Sequence, residues 1–175
     1  YITPDLTKKD ANLSSVTINK NGRYILIEFP MKSIPPYADE VFANLKTKRI
    51  TPIIAHPERN YAITEDPNIL YNFILQGCLA QVNAGSIIGH YGRQIKETAK
   101  ILLSHNLIHL IASDMHSVSS PTIRQAMPDL ISIIGHNEAL DMINDNSFYI
   151  LLGREFKRKT PIPYEHQKRN ISNLF

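Results

Sequence analysis

The chain alternates between two hydrophobic rhythms. Arg23-Tyr24-Ile25-Leu26-Ile27-Glu28-Phe29 is an apolar, β-branched run that stops at Pro30, the pattern of a buried strand. Ala38, Val41, Phe42 and Leu45 then fall at i, i+3, i+4 and i+7, one face of a helix introduced by Pro35-Pro36. Ile50 to Ala55 predicts a second strand. Asp66-Pro67 offers an N-cap and a first-turn proline, Leu70, Phe73 and Ile74 an apolar face, and Gly77 a stop. Leu79 to Val82 predicts a third strand, followed by a helix near Gly92–His105 built on Ile95, Ala99, Leu102 and Leu103. Ile108 to Ala112 predicts a fourth. A helix over about 122–134 ends at Gly135, another turns Leu140 and Ile143 inward, and Phe148–Leu152 predicts a short fifth strand.

Strands alternating with helices of this length imply βαβ units and a parallel sheet, an α/β fold. The pattern alone leaves two architectures open, a doubly wound sheet and part of a barrel. Neither GxxxxGK[ST] nor GxGxxG follows any strand, so the nucleotide-binding versions lose their main support. The 175 residues suit one domain, and 43% hydrophobic with 20% charged residues is ordinary globular composition. No apolar run reaches the ~18–20 residues of a membrane span, and the polar stretch from Tyr1 to Ser15 does not read as a signal peptide. A single cysteine, Cys78, cannot close an internal disulfide and fits a reducing cytoplasm. The chain opens on Tyr1, not methionine, so a piece of something longer is expected.

The net charge of +3 raises the question of nucleic acid. Residues 154–175 hold six cations against Glu155 and Glu165, while the rest of the chain carries 13 basic and 14 acidic side chains. The basicity is a tail without an aromatic or Gly-rich platform, which argues for a solvated end and against nucleic-acid binding. The division is therefore a domain over residues 1–153 and a basic tail over 154–175.

Parallel α/β folds place ligands at the carboxyl ends of their strands. Here those ends carry Glu28, His56, Asn83 and Asp114, with His116 two residues beyond Asp114. Each has an ordinary alternative: a loop histidine bonded to backbone, a glutamate paired with a neighbouring helix, an aspartate capping one. Together, at four corresponding strand ends, mixed carboxylates and imidazoles suit manganese, iron or zinc. Arg59 follows in His56-Pro57-Glu58-Arg59; a guanidinium beside such a site can grip a phosphate, and its alternative is a salt bridge to Glu58 or Glu65. Gly85-Ser86 offers backbone N–H groups to an oxyanion. His90, His105, His109, His136 and His166 read as structural. Cys78, lacking an arginine-bearing phosphate loop, reads as a buried thiol and not a nucleophile.

Three segments carry a resemblance: Ile53-Ile54-Ala55-His56-Pro57-Glu58-Arg59, Gln81-Val82-Asn83-Ala84-Gly85-Ser86-Ile87-Ile88-Gly89 and Ile111-Ala112-Ser113-Asp114-Met115-His116. They resemble the manganese-dependent protein-tyrosine phosphatases of Gram-positive capsule and exopolysaccharide operons, within the polymerase and histidinol phosphatase (PHP) superfamily. Ile25 to Pro30 and Asp66-Pro67-Asn68 look like the same family, and the likeness runs to Gly153. It implies a PHP-type distorted (β/α)7 TIM-like barrel, here its C-terminal five or so βα units, with a multinuclear Mn2+ centre (Fe or Zn as alternatives). It implies direct hydrolysis of phosphotyrosine, with a bacterial tyrosine kinase as the partner. Glu28, His56, Asp114 and His116 would be metal ligands; Arg59 and His56 would be catalytic; Arg59, Ser86 and Arg124 would touch substrate. The family opens with a His-x-His strand that occurs nowhere in these 175 residues, and Pro121 stands where an arginine is usual. An N-terminally incomplete member is therefore expected. The alternatives are a non-catalytic binding module, whose open edge pairs with another subunit, and a small-molecule PHP phosphoesterase.

Overall fold

The computed structural model describes residues 1–8 and 13–165. Four strands form one sheet: β1 (Tyr24–Ile27), β2 (Thr51–Ala55), β3 (Leu79–Asn83) and β4 (Leu110–Ala112). They pair in sequence order and all are parallel, with Tyr24 opposite Thr51, Ile53 opposite Leu79 and Gln81 opposite Leu110. The order never reverses, so the described sheet has no switch point of the doubly wound kind.

Between and beyond the strands lie α1 (Ala38–Thr47), α2 (Tyr61–Glu65), α3 (Asn68–Leu75), α4 (Ala84–Ile88), α5 (Arg93–Ser104), α6 (Ile123–Ile134), α7 (His136–Leu140) and α8 (Asn146–Leu151). The period-3.6 apolar residues of α1, α3, α5 and α6 pack on one face of the sheet. Val41, Phe42, Leu45, Leu70, Phe73, Leu102, Leu103 and Leu130 meet Ile25, Ile27, Ile54, Val82 and Ile111 in the larger core. Alternate strand residues point the other way, as the pleat requires. There Tyr24, Ile53, Leu79 and Leu110 gather around Ile150 of α8 in a smaller cluster.

Two expectations for the C-terminal third are corrected. Phe148–Leu152 is not a fifth strand; Asn146–Leu151 is helical. A short apolar run cannot be assigned by periodicity alone, and here the preceding helix continues into it through a π-helical turn at Asp141–Asp145. The inward-facing side chains also differ from those expected. Ala139 and Met142 are buried, Leu140 is 38% exposed and Ile143 only partly covered.

The described part of the tail, residues 154–165, lies along the domain. Arg154 O accepts from the Tyr24 hydroxyl, Arg158 donates to Gly77 O, Ile162 N to His105 O, and Tyr164 N to Asn68 Oδ1. His166, Lys168 and Arg169 lie outside the described residues.

Candidate active site

The carboxyl ends of the strands build one cavity of about 400 Å3, lined by Tyr1, Glu28, His56, Arg59, His90, Tyr91, Asp114, His116 and Ser120. Five of these are the residues singled out by sequence position. Tyr1, His90, Tyr91 and Ser120 are not; Tyr1 arrives because Ile2 N donates to Glu28 O at 3.0 Å.

The backbone is bent to present these side chains. His56 (φ 33°) and Asp114 (φ 49°) both occupy the left-handed region, which costs a residue with a Cβ on the order of 1–3 kcal/mol unless its surroundings hold it. At His56 they do: its N–H donates to Gln81 O at 2.8 Å, and its own carbonyl accepts from Arg59 N at 3.0 Å. The second bond closes the short 3-10 turn Pro57–Arg59 and sends the Arg59 side chain back over the strand ends.

Two donor pairs result. His56 Nε2 stands 3.3 Å from Glu28 Oε1, and His116 Nε2 stands 3.2 Å from Asp114 Oδ1. Burial, and next the Arg59 charge, push the His56 pKa below its ordinary value, which favours the neutral imidazole. Neutral imidazole and carboxylate are the donor types a divalent cation takes. The number of donors is another matter. Among the described residues no three His, Cys, Asp or Glu side chains converge to hold a metal ion. The donor chemistry fits a cation, and the set among the described residues is two pairs, not a closed centre.

Arg59 pairs with neither Glu58 nor Glu65. Its Nη1 lies 3.3 Å from Asp114 Oδ2, and its guanidinium carbon 4.6 Å from the centre of the Tyr91 ring. Asp114 Oδ2 also accepts from Asn83 Nδ2 at 2.8 Å, and Asn83 Oδ1 accepts from Gln81 Nε2 at 2.8 Å. Asn83 therefore aims the carboxylate without lining the cavity itself.

Beneath this row sits Glu58, with 0% of its surface exposed. Its Oε1 accepts from Asn83 N at 3.0 Å and from the Ser86 hydroxyl at 2.6 Å, and Oε2 has no partner. Burial pushes its pKa up to about 7, against the downward pull of those two hydrogen bonds. Ser86 is fully buried on Glu58 and does not line the cavity. Arg124, in the first turn of α6, is exposed and also absent from the lining. The sequence pointed to Glu58 only as a partner for Arg59; the buried-carboxylate role had no local signal.

His109 and Cys78 are core residues. His109 Nδ1 accepts from Ala80 N, and burial lowers its pKa to about 3; burial pushes the Cys78 thiol up to about 12, far from a nucleophile's range. No helix among the described residues is long and apolar enough to cross a membrane.

Comparison with known proteins places these residues in context. A family model described as capsular polysaccharide synthesis, CpsB/CapC, matches residues 1–152. The chain is 37% identical to the tyrosine-protein phosphatase YwqE of Bacillus subtilis over 83% of its own length and 58% of the relative's. It is 33% identical to the putative tyrosine-protein phosphatase CapC of Staphylococcus aureus, over 96% and 66%. A solved structure from a crystallographic description of YwqE and of CpsB from Streptococcus pneumoniae, called unique metal-dependent tyrosine phosphatases, superposes with a TM-score of 0.81. It shares 35% identity and covers 86% of this chain and 61% of that one. The chain thus spans roughly three fifths of the length of these relatives. With the match extending over all four strands and every cavity-lining residue, the chain belongs to the CpsB/CapC family of capsular polysaccharide synthesis proteins.

Proposed function

We propose that this chain carries the phosphate-binding half of a metal-dependent protein-tyrosine phosphatase site. The observation that carries the reading is Arg59, fixed between Asp114 and Tyr91 at the edge of a cavity that also holds the Glu28/His56 and Asp114/His116 pairs. With Nη1 on the aspartate, the remaining guanidinium N–H groups can take two oxygens of a phosphoryl group. The metal ligands in this reading are Glu28, His56, Asp114 and His116, with manganese as the ion and iron or zinc as alternatives. A divalent cation bound there supplies Lewis-acid charge and lowers the pKa of water. The chain's own contribution is orientation: Arg59 holds the phosphate, Asn83 fixes Asp114, and the left-handed turn at His56 sets the imidazole against Glu28.

The relatives' names supply the substrate class, phosphotyrosine on a protein. A bacterial tyrosine kinase of polysaccharide export in the cytoplasm is the partner we propose. The strand order, each strand beside the next, suits consecutive strands of a distorted (β/α)7 barrel. One observation favours a second reading, a non-catalytic binding module: the donors stand in pairs, with no third convergent ligand among the described residues. Manganese-dependent hydrolysis of a phosphotyrosine peptide decides between them. Turnover that disappears in His56→Ala and in Arg59→Ala is expected; folded chain without turnover, with or without manganese, supports the binding module.

A further inference from the structure

The cavity has an aromatic corner that none of the strand-end chemistry requires. His90 and Tyr91 sit in the turn between α4 and α5, bracketed by Gly89 (φ 84°) and Gly92 (φ 101°). Those two conformations suit glycine and let the chain reverse tightly enough to return both rings to the strand ends. The turn is tied down where His90 N donates to Gly85 O at 2.8 Å. The rings stand at 82° to each other with centroids 5.0 Å apart, and both line the cavity.

Tyr91 is placed by a close approach. A Cβ at Gly85 would lie 2.8 Å from Tyr91 Cε2 and 3.2 Å from Cζ, contacts that only a glycine at this position avoids. Resting on that backbone, the ring carries the Arg59 guanidinium on its face, 4.6 Å from its centre. A partly buried cation–π contact of this kind holds a guanidinium plane in a defined orientation. Arg59 is thus held twice, by the Asp114 carboxylate and by an aromatic face, and only the first of these is a charge.

We infer that Tyr91 is the residue that makes this site prefer aryl over alkyl phosphate monoesters, by orienting Arg59 and by offering, with His90, aromatic surface to the ester's ring. This rests on the proposal that Arg59 binds phosphate. Arg59, His90 and Tyr91 line one cavity, so the ester substituent of a phosphoryl group held on the free edge of Arg59 has the His90–Tyr91 corner within the same cavity. An aromatic ring gains offset or edge-on contacts there, worth severalfold in affinity, whereas an alkyl chain of similar size gains only area.

The test is binding, not turnover, so it does not depend on a loaded metal site. The full chain is titrated with benzylphosphonate, butylphosphonate and inorganic phosphate, followed by the probe's 31P shift, in wild type, Tyr91→Phe, Tyr91→Leu and Gly85→Ala. Wild type and Tyr91→Phe should favour benzylphosphonate over butylphosphonate by about three- to tenfold. Tyr91→Leu should bring that ratio close to one, and Gly85→Ala, which displaces the ring without altering it, should lower it in the same direction. A variant that merely loosened the fold would weaken all three probes together and leave the ratio intact. A ratio that survives Tyr91→Leu overturns the inference while phosphate binding by Arg59 stands. Wild-type protein that binds none of the three probes overturns the phosphate reading, and this inference with it.

Discussion

The face of the sheet that carries Leu79 is built differently at its two ends. Toward the amino ends of the strands, Tyr24, Ile53, Leu79 and Leu110 close around Ile150, and stability there is apolar area removed from water. Two and four residues further along β3, on the same face, stand Gln81 and Asn83. Their amides run in series to Asp114. One end is held by non-directional burial and the other by hydrogen bonds with fixed geometry. The first tolerates reshaping at a cost in stability. The second fixes where the Asp114 carboxylate points and, through it, the Arg59 guanidinium, with a strained backbone and a buried carboxyl beside them.

The comparison predicts a ranking of effects. The largest belongs to the apolar end: Leu79→Ala should lower the free energy of unfolding by about 2–5 kcal/mol, measured in urea, because the side chain is fully buried. Next is the Glu58 carboxyl. It protonates more readily in the folded chain than in the unfolded one, so its contribution is present in full below about pH 4.5 and is lost as pH rises through 7. Relative to Glu58→Gln, which cannot titrate, wild type should lose about 3 kcal/mol between pH 4.5 and pH 8, because each tenfold difference in proton affinity between folded and unfolded chain is worth ~1.36 kcal/mol. Parallel pH profiles for the two proteins would remove the buried carboxyl from the account of this end.

Asn83→Ala should cost about 1–3 kcal/mol in the same unfolding assay, since it strands the buried Gln81 amide and frees Asp114. A companion loss of phosphonate binding would show that the amide series aims Arg59 through Asp114. The smallest effect belongs to Leu26, on the same face as Ile53 but 54% exposed. Leu26→Ala should change stability by no more than about 0.5 kcal/mol, the ordinary figure for a surface site. A larger loss would mean that something covers this face in solution.

The four strands and the helices α1, α3, α5 and α6 were legible because their apolar residues keep one period over a sufficient length. The last element was not, since Phe148 to Leu152 is too short to separate strand from helix and its helical state comes from the π turn before it. Glu28, His56, Asp114, His116 and Arg59 were legible because a polar residue at the end of an apolar strand has a predictable position. Tyr91 and His90 lie beyond a short helix, and two glycines bring them back. Glu58 was hidden for a different reason: nothing local distinguishes a glutamate that faces water from one driven under the next strand by Pro57 and the turn at His56.

The unbroken strand order has a kinetic consequence. Each strand pairs with the next, roughly 26 to 29 residues away along the chain, so the sheet can grow rung by rung through short loop closures. The contacts that tie the last helix and the tail to the residues just before the first strand bridge far more chain: Asn21 Nδ2 to Ile150 O and Arg23 to Glu155 span 129 and 132 residues. Those contacts become favourable only after the rungs exist. The clasp between Asn21 and α8 is then expected to lock after the sheet, and amide exchange should report weaker protection in α8 than in β2 or β3.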